Sequence, residues 1–166
     1  MKTTCLSAGF LFLCIGSLAT PVGGAIAAPA KSPFLGKWAL DVKTMPATYG
    51  TPPKSVTYEF VDLGNGRWET RIHIVDDGGV RDMAVSYRRD GQANSGSGYA
   101  GEGDTAAVNS PAPNVLVMSL AREKQLESVR TYAISANGRE MIESAADVDD
   151  AGVPFVRNFR FTRLTP

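Results

Sequence analysis

The chain has 166 residues, of which 17 are Lys or Arg and 17 are Asp or Glu, so its formal net charge at neutral pH is zero. This balance argues against a nucleic-acid or anionic-membrane partner, which needs a basic excess on one face. The length suits one domain with a sizeable core, and both cysteines, Cys5 and Cys14, lie near the start of the chain.

The first 27 residues have the pattern of an export signal peptide. Lys2 gives a positive start, residues 6–15 form a short apolar stretch, and small residues follow up to Ala27. This pattern predicts cleavage after Ala27, with a second candidate site after Ala30. We therefore expect a periplasmic or secreted protein.

Cleavage after Ala27 would leave a short linker, residues 28–33, and one folded domain, residues 34–166. That domain contains no cysteine, so thiol catalysis, disulfides and cysteine-rich metal sites are excluded from it. No apolar run after the leader approaches the roughly 20 residues of a membrane helix. The sequence predicts neither a membrane span in the mature chain nor a bound cofactor or metal.

Short runs in which polar and apolar residues alternate make up most of the domain. Clear examples are Val56–Phe60 and Trp68–Ile74, with apolar residues at even positions, and Met83–Tyr87, with apolar residues at odd positions. A period of two predicts strands with one buried and one solvated face, and turn-forming residues such as Asn65-Gly66 separate them. Strands are predicted near residues 36–42, 55–62, 67–75, 80–89, 104–109, 114–121, 127–135, 139–148 and 154–164.

These strands predict an all-β domain, a single antiparallel up-and-down β-barrel of about eight or nine strands. Closure removes the exposed edges that would otherwise promote aggregation. The glycine- and serine-rich stretch from Gly91 to Gly103 is predicted to be a long loop, and the stretch from Met45 to Pro53 an irregular connection. The expected inward residues are Trp38, Tyr58, Phe60, Trp68, Ile72, Met83, Val85, Tyr87, Phe159 and Phe161.

The segment FLGKWALDV, from Phe34 to Val42, carries a family resemblance. Its Gly36-Lys37-Trp38 resembles the glycine-x-tryptophan signature in the first strand of lipocalins and the wider calycin superfamily. The order of segments from Phe34 to Leu164 is also similar to that of small exported lipocalin-like proteins of bacteria. The resemblance implies a barrel whose closed end is plugged by Trp38, with Gly36 at a tight bend.

Lipocalins also place a late arginine across the first-strand tryptophan. Arg157, Arg160 and Arg163 are the candidates in the last predicted strand. We select Arg163, because it has the same parity as the inward Phe161.

By analogy with this family, we expect a small apolar or amphipathic ligand inside the barrel. Arg130-Thr131-Tyr132 resembles the Arg-x-Tyr that fatty-acid-binding proteins use to hold a carboxylate, although there it lies in the last strand. An inward Arg130 would need an anionic partner, and an outward arginine is the commoner alternative. The predicted ligand-binding residues are Tyr58, Trp68, Met83, Tyr87 and Arg130.

Two rival functions stay open. A barrel filled with side chains would act through its surface, as an envelope interaction or inhibitor module. A calycin-type enzyme would require a polar constellation inside the barrel. We find no catalytic motif in the sequence, so the enzyme is the less favoured of the two.

Three further patterns have ordinary explanations. Residues 96–101 match the G-x-G-x-x-G pattern, but no helix-forming run follows to hold a pyrophosphate, so a loop is expected. Residues 147–152 resemble the start of a calcium loop but lack its later ligands, which favours a solvated turn. His73 is the only histidine, and its parity predicts an exposed position on a strand.

Overall fold

The structure is a computed structural model that describes residues 31–95, 103–149 and 151–165. The predicted signal peptide and the 96–101 motif lie outside the described residues. Within these residues the chain forms ten strands and two short 3-10 turns, Val42–Thr44 and Ala47–Tyr49. The strands are β1 (Gly36–Leu40), β2 (Ser55–Gly64), β3 (Arg67–Asp76), β4 (Gly79–Arg88), β5 (Asp90–Ser95), β6 (Thr105–Ala112), β7 (Val115–Arg122), β8 (Gln125–Ile134), β9 (Glu140–Val148) and β10 (Pro154–Arg163).

All ten strands belong to one antiparallel sheet, in the order β4-β3-β2-β1-β10-β9-β8-β7-β6-β5. Nearly every neighbour in the sheet is also the neighbour along the chain, and β1 pairs with β10 to join the first strand to the last. The sheet curls into a nearly closed barrel whose two edges are the consecutive strands β4 and β5. The predicted all-β, up-and-down barrel is confirmed.

The number of strands differs from the prediction because all of β5 except Asp90 lies in the segment predicted to be a long loop. Strand β5 is mostly polar and mostly exposed, and Ala93 is its only apolar side chain, so it has no alternating apolar face to detect. It forms through pairing with β6, where Asp90 lies opposite Asn109 and Ser95 opposite Thr105. Backbone pairing with a neighbour, rather than burial, specifies this strand.

Two-residue turns join several of the strands, and only some of them can be predicted from their residue types. Asn65 and Gly66 join β2 to β3 with φ values of 52° and 74°, as their residue types predict. Glu123 and Lys124 make the equivalent turn between β7 and β8 with φ values of 49° and 68°. Neither residue favours the left-handed region, so the second turn has no sequence signal.

The barrel interior is the core of the domain. The ten residues expected to face inward all do so: eight are buried, and Met83 and Phe159 are partly buried against the same cluster. The sequence reasoning omitted the polar residues of the interior, Thr70, Ser128 and Glu143. Among the described residues, no helix has the length and apolar character needed to cross a bilayer.

Candidate functional site

Aromatic side chains close one end of the barrel. Trp38 on β1 is fully buried, and its indole Nε1–H donates a hydrogen bond of 2.8 Å to the carbonyl oxygen of Phe34. Phe34 is also fully buried and meets Phe60 edge to face, with ring centroids 5.5 Å apart. The indole therefore has both its apolar surface and its polar N–H satisfied at this end.

Arg163 lies across the Trp38 ring. Its guanidinium carbon is 4.1 Å from the ring centroid, a cation–π distance. The same guanidinium donates hydrogen bonds to the carbonyl oxygens of Gly138 at 2.7 Å and Leu35 at 2.8 Å, and also to that of Pro33. Burial lowers the pKa of Arg163 from its usual value, while these carbonyl contacts fix its position. Arg163 therefore joins the start of the domain to its last strand.

The bend before Trp38 requires glycine. Gly36 has a φ of +113°, outside the regions that side-chain-bearing residues favour. A Cβ at this position would lie 3.3 Å from Nη1 of Arg163. An alanine here would be strained by its backbone and crowded by the guanidinium.

Toward the other end of the barrel lies a cavity of about 400 Å³, which we call the mouth cavity. It is bordered by the first residues of β2, β4 and β10 and the last residues of β3 and β9. Its apolar lining includes Leu40, Val56, Tyr58, Ile74, Ala145 and Phe161. Charged side chains from the strand ends, among them Asp76, Arg81, Asp147 and Arg157, surround the opening.

A buried ion pair lies among the residues that line this cavity. Nη1 of Arg130 on β8 is 3.0 Å from Oε1 of Glu143 on β9, and the two side chains are 14% and 1% exposed. Arg130 therefore points inward, and Glu143 is the anionic partner that an inward arginine needs. Sequence reasoning missed Glu143, although it has the same parity as the buried Met141 and Ala145.

Ser128 also lines the cavity, next to this pair along β8. The residue is only 4% exposed, and its Oγ has no hydrogen-bond partner among the described residues. Buried hydroxyls in folded proteins are nearly always paired with protein, water or ligand. This hydroxyl therefore has hydrogen-bonding capacity that the described part of the chain does not use.

The connection between β1 and β2 borders the mouth cavity through Met45, Thr51 and Pro53. Tyr49 ties this connection to β10: its hydroxyl oxygen accepts a hydrogen bond of 3.0 Å from the backbone N–H of Asn158. This contact satisfies a β10 backbone donor that lies beyond the β1–β10 pairing, which ends at Leu40 and Phe161. The irregular connection is thus held against the barrel.

The comparisons with known proteins identify the fold. No protein-family model and no curated protein matches the sequence. A mutant of the fluorescent protein UnaG matches with a TM-score of 0.57 and 14% identity, over 81% of this chain and 98% of that chain. The chain has a calycin-type fold.

Two further solved structures have the same calycin-type fold. Fatty-acid-binding protein 1 of Echinococcus granulosus matches with a TM-score of 0.54 and 11% identity, over 81% of this chain and 100% of that chain. The apo form of Caenorhabditis elegans lipid binding protein 8 matches with a TM-score of 0.52 and 12% identity, over 81% and 98% of the two chains. At these identities the likeness is one of fold.

The structure separates the five predicted ligand-binding residues into two groups. Tyr58 and Arg130 line the mouth cavity of this calycin-type barrel. Trp68 and Tyr87 are buried elsewhere in the core, with Arg89 stacked 4.0 Å from the Trp68 ring centroid. Met83 is partly buried against the same core and is not among the described residues that line the mouth cavity. The role of all five in ligand binding stays a prediction.

Tyr87 makes a buried hydrogen bond, since its hydroxyl lies 2.7 Å from Oγ1 of Thr70. Burial raises the pKa of Tyr87 to about 12, an effect that Thr70 and Arg89 partly oppose. The pKa of Tyr87 is higher in the folded protein than in the unfolded chain. The stability that the protonated hydroxyl contributes is therefore fully present below pH ~10 and is lost as the pH rises from about 10 to about 12. We expect wild type to lose roughly 2–3 kcal/mol relative to Tyr87→Phe over this range.

Urea unfolding midpoints of both proteins between pH ~8 and ~12 measure this difference. A constant difference across that range would show that Tyr87 ionises as easily in the folded protein as in the unfolded chain.

The remaining sequence candidates lie on the surface or outside the described residues. His73 is exposed on the outer face, with Nδ1 2.7 Å from Oδ1 of Asp82. In the 147–152 turn, Asp149 Oδ1 accepts hydrogen bonds from the backbone N–H groups of Ala151 and Val153, and Asp150 is not described. Among the described residues, no cluster of three or more His, Cys, Asp or Glu side chains could hold a metal.

Proposed function

We propose that this protein binds one small amphipathic ligand in the mouth cavity of its barrel. The observation that carries the proposal is the cavity itself, because about 400 Å³ lies within the range of small-molecule sites. Its lining also has the composition of such sites, an apolar surface with a few converging polar groups. Tyr58, Val56 and Ile74 would cover the apolar part of the ligand, and the polar groups would orient it.

The expected affinity is moderate. Burying roughly 200 Å² of ligand apolar surface contributes about 5 kcal/mol. Part of this is offset by the lost freedom of the ligand, so dissociation constants from micromolar to millimolar are expected for simple probes. The E. granulosus protein is a fatty-acid-binding protein and the C. elegans protein is a lipid binding protein, which supports a ligand of this kind.

The rival functions fit the interior less well. A filled barrel would leave room for one or two waters of about 30 Å³ each, whereas the mouth cavity is many times larger. An enzyme would need polar groups inside the barrel, and Arg130 with Glu143 is such a group. These two side chains neutralise each other, and His73 lies on the outer face. We therefore assign the pair to ligand orientation rather than to proton transfer.

We also propose that the protein is exported, on the basis of its first 27 residues. Expression of the full chain in a Gram-negative host followed by intact mass measurement tests this proposal. A periplasmic product beginning at Ala28 is expected. An uncleaved cytoplasmic product would contradict export without affecting the ligand proposal.

Ligand binding is tested with a cavity-filling variant and an uncharged fluorescent probe, N-phenylnaphthylamine. Ala145 is buried and lines the mouth cavity, whereas the next residue, Ala146, is exposed on the outer face of β9. We expect Ala145→Phe to weaken probe binding by about tenfold or more, because the added ring occupies the cavity. Ala146→Phe is the matched control and should bind as wild type does.

Circular dichroism melts show whether each variant is folded before its probe affinity is compared with that of wild type. If Ala145→Phe does not fold, the smaller substitution Ala145→Leu takes its place. Equal probe affinity in folded wild type and folded Ala145 variants would contradict binding in the mouth cavity. If the variants instead confirm binding in the mouth cavity, native mass spectrometry of protein purified from its own cell envelope would identify the natural ligand as a co-purifying mass.

A further inference from the structure

Arg157 is a cation at the opening of the mouth cavity, held by aromatic rings. It faces inward on β10, is partly buried and lines the cavity. Its guanidinium carbon lies 4.6 Å from the ring centroid of Phe155 and 5.3 Å from that of Tyr49. Both distances are within the cation–π range, so the two rings limit where this long side chain can go.

The Tyr49 ring is itself fixed. Its hydroxyl is hydrogen-bonded to the backbone of β10, and its ring meets Phe159 edge to face at 5.6 Å. An arginine stacked on a fixed ring loses less freedom when it binds an anion than a mobile surface arginine does. Arg157 is therefore preorganised at the opening.

The other two cations of the cavity lining are already paired. Nη2 of Arg81 lies 2.6 Å from Oδ2 of Asp76, and Nη1 of Arg130 lies 3.0 Å from Oε1 of Glu143. Arg157 makes no ion pair with any carboxylate of the described residues.

Two carboxylates of the lining, Asp147 and Glu143, lie two positions either side of Ala145, the β9 residue opposite Arg157. Glu143 already pairs with Arg130, and one oxygen of Asp147 accepts a hydrogen bond from the Val148 N–H. Among the described lining residues, Arg157 is thus the cation whose charge is not already balanced by a partner.

We propose that the ligand carries one anionic group, which Arg157 binds at the opening, while the apolar part lies on the Tyr58 and Phe161 rings deeper in the barrel. This inference rests on the proposed ligand-binding function. An anionic group is not expected at the deeper position, because the Glu143 carboxylate already occupies the Arg130 guanidinium and would repel it. The ligand therefore binds with its charged group outward.

The test compares two competitors that differ only in their head group, decanoate and decanol, as displacers of N-phenylnaphthylamine near neutral pH. We expect decanoate to displace the probe from wild type at about tenfold lower concentration than decanol. Arg157→Gln should abolish this preference while still binding the uncharged probe. Arg157→Lys keeps the charge without the planar stack and should retain part of the preference.

Arg160→Gln is the matched control, because Arg160 lies on the same strand, faces outward and pairs with Glu140 at 2.9 Å. This variant should keep the wild-type preference for decanoate. Equal displacement of the probe from wild type by both competitors would overturn the inference and leave the proposed function standing. Loss of the preference in both Arg157→Gln and Arg160→Gln would also overturn it, since general surface charge would then be the cause. If wild type bound neither the probe nor the competitors, the proposed function itself would be wrong.

Discussion

Replacing Trp38 with alanine is expected to lower the free energy of unfolding by about 3–5 kcal/mol, the usual loss for emptying a buried aromatic site. The indole is fully buried, and its hydrogen bond to the Phe34 carbonyl would be lost with it. The Arg163 guanidinium would also lose the ring on which it stacks. Urea unfolding followed by circular dichroism measures the change.

Lys37→Ala is the control, because Lys37 directly precedes Trp38 on β1 and points to solvent. Its ammonium lies 3.9 Å from Oε1 of Glu59, and its side chain is 57% exposed. An exposed pair of this kind contributes little, so a change within about 0.5 kcal/mol is expected. A loss below about 1 kcal/mol for Trp38→Ala would contradict its role in closing the barrel.

The arrangement at the closed end of the barrel was expected from the resemblance of Gly36-Lys37-Trp38 to the lipocalin signature, and the local pattern of the chain agrees with it. Gly36 supplies the φ of +113° that the bend requires, and the alternation along β1 turns Trp38 inward. Alternation in β10 gives Arg163 the same parity as Phe161, which places both on the inner side. Each of these signals is contained within one strand.

The polar interior could not be predicted in the same way, because it depends on how strands pair. Parity can show that Arg130 and Glu143 each face inward, but not that they meet. Their contact follows from the register of β8 and β9, in which Arg130 lies opposite Ala145 and Tyr132 opposite Glu143. A shift of that register would separate the two charges, and alternation alone does not report the register.

The Arg157 site depends on still longer-range contacts. Tyr49 lies in an irregular connection with no strand pattern, yet its hydroxyl contacts the backbone of Asn158, 109 residues later. The irregular connection from Met45 to Pro53 was expected, but its attachment to β10 has no local cause. Contacts of this kind can be recognised only when the barrel has been assembled.

Glu143→Gln is expected to lower the free energy of unfolding by about 3 kcal/mol, because it removes the carboxylate charge that faces the Arg130 guanidinium inside the barrel. This is the lower end of the range for a broken buried ion pair. The Arg130 side chain is 14% exposed and borders a cavity large enough to admit water, so part of its solvation is recovered. Urea unfolding near neutral pH gives the measurement.

The chain contains a matched exposed pair, because Glu140 also lies on β9 and its Oε2 is 2.9 Å from Nη1 of Arg160. These side chains are 50% and 49% exposed, so Glu140→Gln should cost less than about 1 kcal/mol. Replacing both buried partners, Arg130→Met with Glu143→Met, should recover most of the loss caused by Glu143→Gln, since no unpaired charge stays behind. Equal losses from Glu143→Gln and Glu140→Gln would show that the interior solvates Arg130 as well as the surface does. A double variant less stable than Glu143→Gln would instead show that the pair is worth more than the apolar contacts that replace it.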